Sequence, residues 1–459
     1  MSNWTKNSVF YHIYPLGMCG APTYNAETEP QHRILKLLDW IPHLEKMNIG
    51  AVYFGPVFDS SNHGYDTRDY NKIDLRLGTE EDFSKLSSSL HKAGIKVVVD
   101  GVFNHVGREF WAFRDVQQKG AASPYCGWFT NLNFGGGSPM GDPFWYEGWE
   151  GHYELVKLNL SNPEVTEHIL SAVGDWIDKF DIDGLRLDVA YCLDFNFLHR
   201  LSAFVRSKKP DFWLMGEVIH GDYSRFINPE LLDSTTNYEC YKGIYSSHND
   251  KNYFEIAHSI ARQFGSGGNG GIYNGIVTYN FVDNHDVTRI HSILRDKEHI
   301  YNVYTLLFTM PGTPSVYYGS EFAIDGEKRS GSDAELRPEL DIADFEENSP
   351  LVRHISTLAA MKRILTPLAD GVYEQVILKN KEYVFKRKSA DAELFVILNI
   401  EDGEVTHNIS CGYTLFDLET GDSFESENGM VSITTDSCRS RVLGSEKMMG
   451  ALQNGLCCD

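Results

Sequence analysis

Eight short runs rich in β-branched and aromatic residues, alternating with longer stretches of helical periodicity, constrain this chain more than any other feature. The runs are Val9 to Tyr14, Ala51 to Phe54, Lys96 to Asp100, Gly184 to Asp188, Phe212 to Glu217, Ser234 to Tyr238, Gly275 to Phe281 and Ser315 to Tyr318. Helical spacing of apolar residues recurs over Ile34 to Met47, Glu80 to Ala93, Pro163 to Phe180, Phe195 to Lys208, Tyr253 to Phe264, His299 to Met310 and Leu351 to Ile364. Such alternation predicts parallel strands joined by helical crossovers, and eight repeats predict closure into a (β/α)₈ TIM barrel. Asn162-Pro163-Glu164 marks one helix start, with Asn as N-cap, Pro at the first helical position and an acid in the first turn.

One connection is too long for a βα loop. From His105 to Val156 the chain passes through Gly and aromatic clusters without a clear helical pattern, which predicts a small domain inserted after the third strand. Its Trp111, Trp128, Trp145 and Trp149 suit the insert's own core better than sugar-stacking platforms. After Thr366 the pattern turns to short alternating strands, Tyr373 to Leu378, Tyr383 to Arg387, Leu394 to Asn399 and Val431 to Thr434, predicting a C-terminal antiparallel β-sandwich. The expected division is therefore 1–104 and 157–368 for the barrel, 105–156 for the insert and 369–459 for the β-sandwich. The Gly265 to Gly271 run lacks the Lys-Ser/Thr ending of a phosphate loop and reads as a connector.

Composition narrows the partners. With 41 Lys and Arg against 64 Asp and Glu, the net charge of −23 repels phosphate backbones and anionic lipid, so neither nucleic acid nor membrane is expected as a partner. A neutral polyhydroxylated ligand is indifferent to that field. The first eight residues show no apolar signal segment and no later stretch is long enough to span a bilayer, so a soluble cytoplasmic protein is expected. Eight cysteines without C-x-x-C spacing fit reduced thiols rather than disulfides or a zinc site, and the Cys457-Cys458 pair reads as a frayed terminus.

In a barrel enzyme the reacting groups lie where strands end. Asp100, Asn104 and His105 close the third run; Arg186 and Asp188 the fourth; Glu217 the fifth; His285 and Asp286 follow the seventh. Tyr65 and Asp66 fall in the loop after the second, Asp333 and Arg337 in the loop after the eighth. Arg186 and Asp188, two apart on a strand, share a face, and the guanidinium is expected to keep Asp188 ionised as a nucleophile. Taken alone, the pair also suits a structural ion pair. Glu217 ends the apolar run Phe212 to Gly216, whose desolvation is expected to keep its proton, although a buried or capping Glu fits that position too. Adjacent strands lie roughly 5 Å apart, close to the separation of about 5–5.5 Å between the carboxyl groups of a retaining glycosidase. Asp286, His105 and His285 stand as candidates to hold substrate hydroxyls, although a lone His in such a position is more often a structural hydrogen-bonder.

Four blocks, Asp100-Gly-Val-Phe-Asn-His105, Gly184-Leu-Arg-Leu-Asp-Val-Ala190, Gly216-Glu-Val-Ile-His220 and Phe281-Val-Asp-Asn-His-Asp286, make the chain resemble the α-amylase family of glycoside hydrolases over nearly its whole length. The resemblance implies Asp188 as nucleophile, Glu217 as general acid/base and Asp286 as a transition-state-stabilising carboxylate. It further implies sugar contacts by His105, Arg186 and His285, stacking by Tyr65, and a late binding pair, Asp333 and Arg337. Val156-Lys-Leu-Asn159 and His63-Gly-Tyr-Asp-Thr67 resemble segments of the neopullulanase, cyclomaltodextrinase and maltogenic amylase subgroup, with Val156 in place of a customary Pro and Ile219 where Trp is frequent. With the first strand near Val9, no extra N-terminal domain is expected.

The resemblance thus implies a retaining hydrolase of α-1,4-glucosidic bonds in maltooligosaccharides or cyclodextrins. A 4-α-glucanotransferase and an inactive carbohydrate-binding homologue are the alternatives, and the oligomeric state stays open. No cofactor is expected to be required. Tyr191-Cys192 stand where many α-amylases carry Lys-His, so calcium is possible, through Asn104 and the insert's carboxylates, but not favoured.

Overall fold

The structure, a computed structural model, describes residues 4–456. Eight parallel strands form the central sheet: β1 Phe10–Ile13, β2 Ala51–Phe54, β3 Lys96–Gly101, β4 Gly184–Leu187, β5 Trp213–Gly216, β6 Ser234–Thr235, β7 Tyr279–Asn280 and β8 Thr313–Tyr317. Their order runs β6-β5-β4-β3-β2-β1-β8-β7. A parallel bridge from Thr236 to Tyr279, with the Asn237 N–H donating to the Tyr279 carbonyl at 2.9 Å, joins the two edges and closes the barrel.

Alternation along the strands separates two cores. Phe10, Ala51, Tyr53, Val98, Trp213, Met215 and Tyr279 point inward and pack together, whereas Tyr11, Ile13, Val52, Phe54, Val97, Val99, Leu185, Leu187 and Leu214 join the cluster beneath the helices. The period of two therefore sends every second residue into the barrel, and the inward series of β4 reads Gly184, Arg186, Asp188. Gly184 is required there: a Cβ would lie 2.6 Å from the Trp213 carbonyl oxygen of β5.

Helices Pro163–Phe180 and Phe195–Lys208 occupy the expected spans, and Asn162 caps the first, accepting the Glu164 N–H at 2.9 Å. The first crossover is instead split into a 3₁₀ segment, Arg33–Trp40, and an α-helix, Ile41–Lys46, because Pro42 cannot donate to a continuous ladder. The sixth strand stops short of Tyr238. Asn237 caps the helix Tyr238–Asn249, which sequence reasoning missed because few strongly apolar residues line its buried face. The seventh strand is likewise shorter than its predicted run, since Gly275 turns the chain at φ +80°.

Between β3 and the helix Pro163–Phe180 lies an antiparallel sheet of His105–Gly107, His152–Lys157 and Gly148–Trp149, together with a helix, Trp111–Lys119, that was not anticipated. Ala112, Phe113 and Val116 form that helix's buried face. Trp128 is buried and Trp111 packs against it edge-on, while Trp149 leans over His105 with ring centroids 5.5 Å apart. Beyond the helix Pro350–Ile364, a six-stranded antiparallel sheet that includes Glu382–Lys388, Glu393–Asn399 and Ser440–Gly444 faces a three-stranded sheet of Val405–Ser410, Met430–Thr435 and Ser426–Glu427. Val384, Phe395, Ile397, Ile409, Val431 and Ile433 fill the space between them, making a β-sandwich. The helix Glu446–Leu456 follows, also unanticipated. The six described cysteines are free thiols, and the Cys457-Cys458 pair lies outside the described residues. No described helix is long and apolar enough to cross a membrane.

Candidate active site

At the C-terminal ends of the strands, one guanidinium organises the carboxylates. Arg186 Nη1 donates to both oxygens of Asp100 (3.0 and 3.2 Å) and to Asp188 Oδ1 (2.9 Å), while Nη2 lies 2.9 Å from Glu217 Oε2. Pairing of Leu187 with Gly216 sets Asp188 and Glu217 side by side, one step beyond the last paired residues of β4 and β5. Glu217 also accepts the Val189 N–H at 3.1 Å and the Tyr238 hydroxyl at 3.2 Å. Val189 reaches it from a left-handed conformation, φ +41°, an outlier for a β-branched residue and a local strain at the end of β4.

Asp100 is saturated. Besides Arg186 it accepts the hydroxyls of Tyr53 (2.8 Å) and Tyr65 (3.0 Å), which makes it the anchor of the cluster. Tyr65 also hydrogen-bonds His285 Nε2 and stacks on that ring at 5.4 Å with planes 9° apart. His285 Nε2 lies 2.9 Å from Asp286 Oδ2, and Arg337 bridges Asp286 Oδ1 and Asp333 Oδ2, each at 2.9 Å. Arg337 in turn lies over the Tyr14 ring, 4.6 Å from its centroid. His105, whose Nδ1 lies 3.1 Å from the Asn104 amide nitrogen, places Nε2 3.8 Å from Asp188 Oδ2. The nine residues given site roles by the family resemblance thus fall in one connected cluster. Side-chain exposure rises from 0% at Asp100 and 8% at Asp188 to 34% at Asp286, so the cluster opens to solvent on the Asp286 side.

One electrostatic expectation is corrected. Arg186 is shared among three carboxylates and is not a dedicated partner of Asp188; burial, reinforced by Glu217, Asp100 and Asp286, outweighs it and pushes the Asp188 pKa well above the usual carboxylate range. Glu217 is buried, and three donors reach its oxygens. At Asp286 burial acts upward, but His285, Arg337 and Arg186 together prevail and hold that carboxyl well below its usual range. Burial, aided by His63, lowers His105 to about 3, leaving a neutral imidazole.

Sequence reasoning passed over His12, Tyr14, Tyr53 and Tyr238. His12 and Tyr53 are inward positions of β1 and β2, stacked at 4.3 Å, and the alternation that selected Arg186 and Asp188 would have found them. The buried nitrogens His12 Nε2, His105 Nε2, His285 Nδ1 and Trp149 Nε1 have no hydrogen-bond partner. Such orphans are rare unless a ligand completes them.

Comparison with known proteins identifies the family. The family described as "Alpha amylase, catalytic domain" matches residues 35–356. A maltogenic α-amylase of Bacillus acidopullulyticus is 30% identical over 89% of this chain and 72% of its own length. A cyclomaltodextrinase of Geobacillus thermopakistaniensis is 28% identical over 93% and 74%. Among solved structures, a cyclomaltodextrinase superimposes with a TM-score of 0.85 at 24% identity, covering 96% of this chain and 78% of its own. The chain belongs to the α-amylase family and is a glycoside hydrolase of the cyclomaltodextrinase and maltogenic amylase type.

Proposed function

We propose that this protein hydrolyses α-1,4-glucosidic bonds of maltooligosaccharides and cyclodextrins with retention of anomeric configuration. The observation that carries the reading is the pair Asp188 and Glu217, side by side on adjacent strands and joined by one guanidinium. Neighbouring strands put such carboxyl groups at the roughly 5 Å separation used for double displacement.

In the first step the Asp188 carboxylate attacks the anomeric carbon as its bond to the glycosidic oxygen breaks, and Glu217 gives that oxygen its proton. In the second, Glu217 takes a proton from water, whose oxygen displaces Asp188 from the same carbon. Two inversions give retention. The first step needs an ionised Asp188 and a proton on Glu217. Arg186 contacts both carboxylates and can hold negative charge on either of them. Asp286, held ionised, stabilises positive charge growing on the ring, and the orphan nitrogens of His105 and His285 take substrate hydroxyls. Asp333 and Arg337 extend the binding surface at the exposed side. The scheme uses no cofactor. The substrate class is drawn from the relatives, whose names are maltogenic α-amylase and cyclomaltodextrinase.

Proton NMR during hydrolysis of maltotriose and β-cyclodextrin tests the proposal. The α-anomer is expected as first product; β-anomer first would overturn the double displacement. Products longer than maltotriose would measure how far a second sugar competes with water for the intermediate.

A further inference from the structure

Among the described residues, one group of His, Cys and carboxylate side chains brings three metal-ligating atoms within 4.8 Å of one another: Asp296, His299 and Cys438. We propose that these residues bind a divalent cation of the zinc class, clamping the crossover between β7 and β8 to the C-terminal β-sandwich. His299 closes the 3₁₀ turn Lys297–His299 that leads into the helix Ile300–Thr309. Cys438 lies in the turn between strands Met430–Thr435 and Ser440–Gly444.

The imidazole carries the argument. His299 is 1% exposed, yet neither ring nitrogen has a partner in hydrogen-bonding geometry. The His248 backbone faces the ring without reaching that geometry. The His248 side chain is already engaged, with Nδ1 2.7 Å from the Ile244 carbonyl and Nε2 3.3 Å from the Tyr253 hydroxyl. A buried ring with two orphan nitrogens is costly unless something completes it.

Asp296 is oriented for that task. Its Oδ1 accepts the Glu298 N–H at 3.2 Å, while Oδ2 lies 3.6 Å from His299 Nε2. That gap is too long for a hydrogen bond. It is close to the roughly 3.3 Å edge of a tetrahedron whose ligands stand about 2.0–2.1 Å from zinc. Cys438 is buried and holds φ +53°, uncommon for a residue with a Cβ, and its Sγ makes long contacts to Ser437 Oγ (3.7 Å) and the Glu401 carbonyl (3.9 Å).

The donor set selects the ion. Thiolate, imidazole and carboxylate together suit zinc-like cations, whereas calcium and magnesium take oxygen ligands. Two nearby cations are already engaged: Lys251 pairs with Asp402 at 3.1 Å, and Arg439 Nη1 donates to Glu298 Oε2 and to the Cys438 carbonyl, each at 3.0 Å. The fourth position falls to water on the partly exposed Asp296 side. Cysteine spacing gave no hint of the site because its ligands come from separate domains.

Chelator-stripped full-length protein titrated with Co²⁺ and Zn²⁺ decides the matter. The expected result is one tightly held ion per chain, a thiolate-to-cobalt charge-transfer band, and a Zn²⁺-dependent rise in Tm. The band should vanish in Cys438→Ser and persist in a Cys457→Ser, Cys458→Ser double variant. Asp296→Asn, at a partly exposed position that a folded chain tolerates, should weaken affinity by about tenfold or more. Sub-stoichiometric binding, a band that survives Cys438→Ser, or unchanged affinity in Asp296→Asn would overturn the proposal.

Discussion

At the mouth of the barrel, one guanidinium, Arg186, faces the carboxylates of Asp100, Asp188 and Glu217. At its base, Lys362 and Arg387 are buried against backbone carbonyls. Lys362 Nζ donates to Gly312, just before β8, at 2.9 Å and to Leu368 at 2.7 Å. Arg387 donates to Thr309 at 2.6 Å and, through Nε and Nη2, to Gly371. Burial lowers Lys362 to about 7, with Arg387 adding to the effect, and lowers Arg387 to about 9. Both regions bury charge. The base spends its donors on fixed carbonyls, whereas the mouth keeps surplus negative charge and orphan nitrogens beside an opening to solvent. Surplus of that kind, rather than burial of charge as such, marks the site.

The sharpest way to separate the two regions is to remove the surplus. Asp188→Asn should lower kcat by on the order of 10⁴-fold or more, as loss of a nucleophile does, and should also raise Tm. The sign follows from linkage: a raised pKa means that folded Asp188 holds its proton more tightly than the unfolded chain. Its contribution to stability therefore falls as pH rises from the unfolded value, about 3.9, toward the folded one. Calorimetry at pH 7 checks this, and a lower Tm in Asp188→Asn would remove the picture of an overcharged mouth.

Glu217→Gln comes next. Loss of an acid/base group should cost about 10²–10⁴-fold in kcat on maltotriose, and much less on a substrate whose leaving group needs no proton, such as α-glucosyl fluoride. Equal losses on both would place the proton donor elsewhere.

The base should behave in the opposite way. Lys362 binds its proton less tightly in the fold than unfolded, so stability should rise as pH increases from about 7 toward the unfolded value. Lys362→Met should flatten that rise in denaturant titrations while leaving kcat within about twofold. A large loss of activity would break the division between the two regions. The smallest effect is expected at Asp333, 31% exposed at the rim, where Asp333→Ala should raise KM by less than about tenfold with kcat nearly unchanged.

Much of the mouth was legible in the sequence because strand alternation is a strict rule: Arg186 and Asp188 had to share a face, and the residues at strand ends had to gather. What alternation did not reveal was stoichiometry. The sharing of Arg186 by Asp100, Asp188 and Glu217, and the donors that Val189 and Tyr238 bring to Glu217, depend on register between strands far apart in the chain. The helices Tyr238–Asn249 and Trp111–Lys119 were missed for local reasons, one being polar on its buried face and the other short and surrounded by Gly and aromatic residues.

Covalent capture tests the central claim most directly. Chain carrying Glu217→Gln, mixed with α-glucosyl fluoride, should accumulate one glucosyl group per molecule, and peptide mass spectrometry should place it on Asp188. A label on another residue, or steady turnover to the inverted sugar with no label at all, would contradict the account.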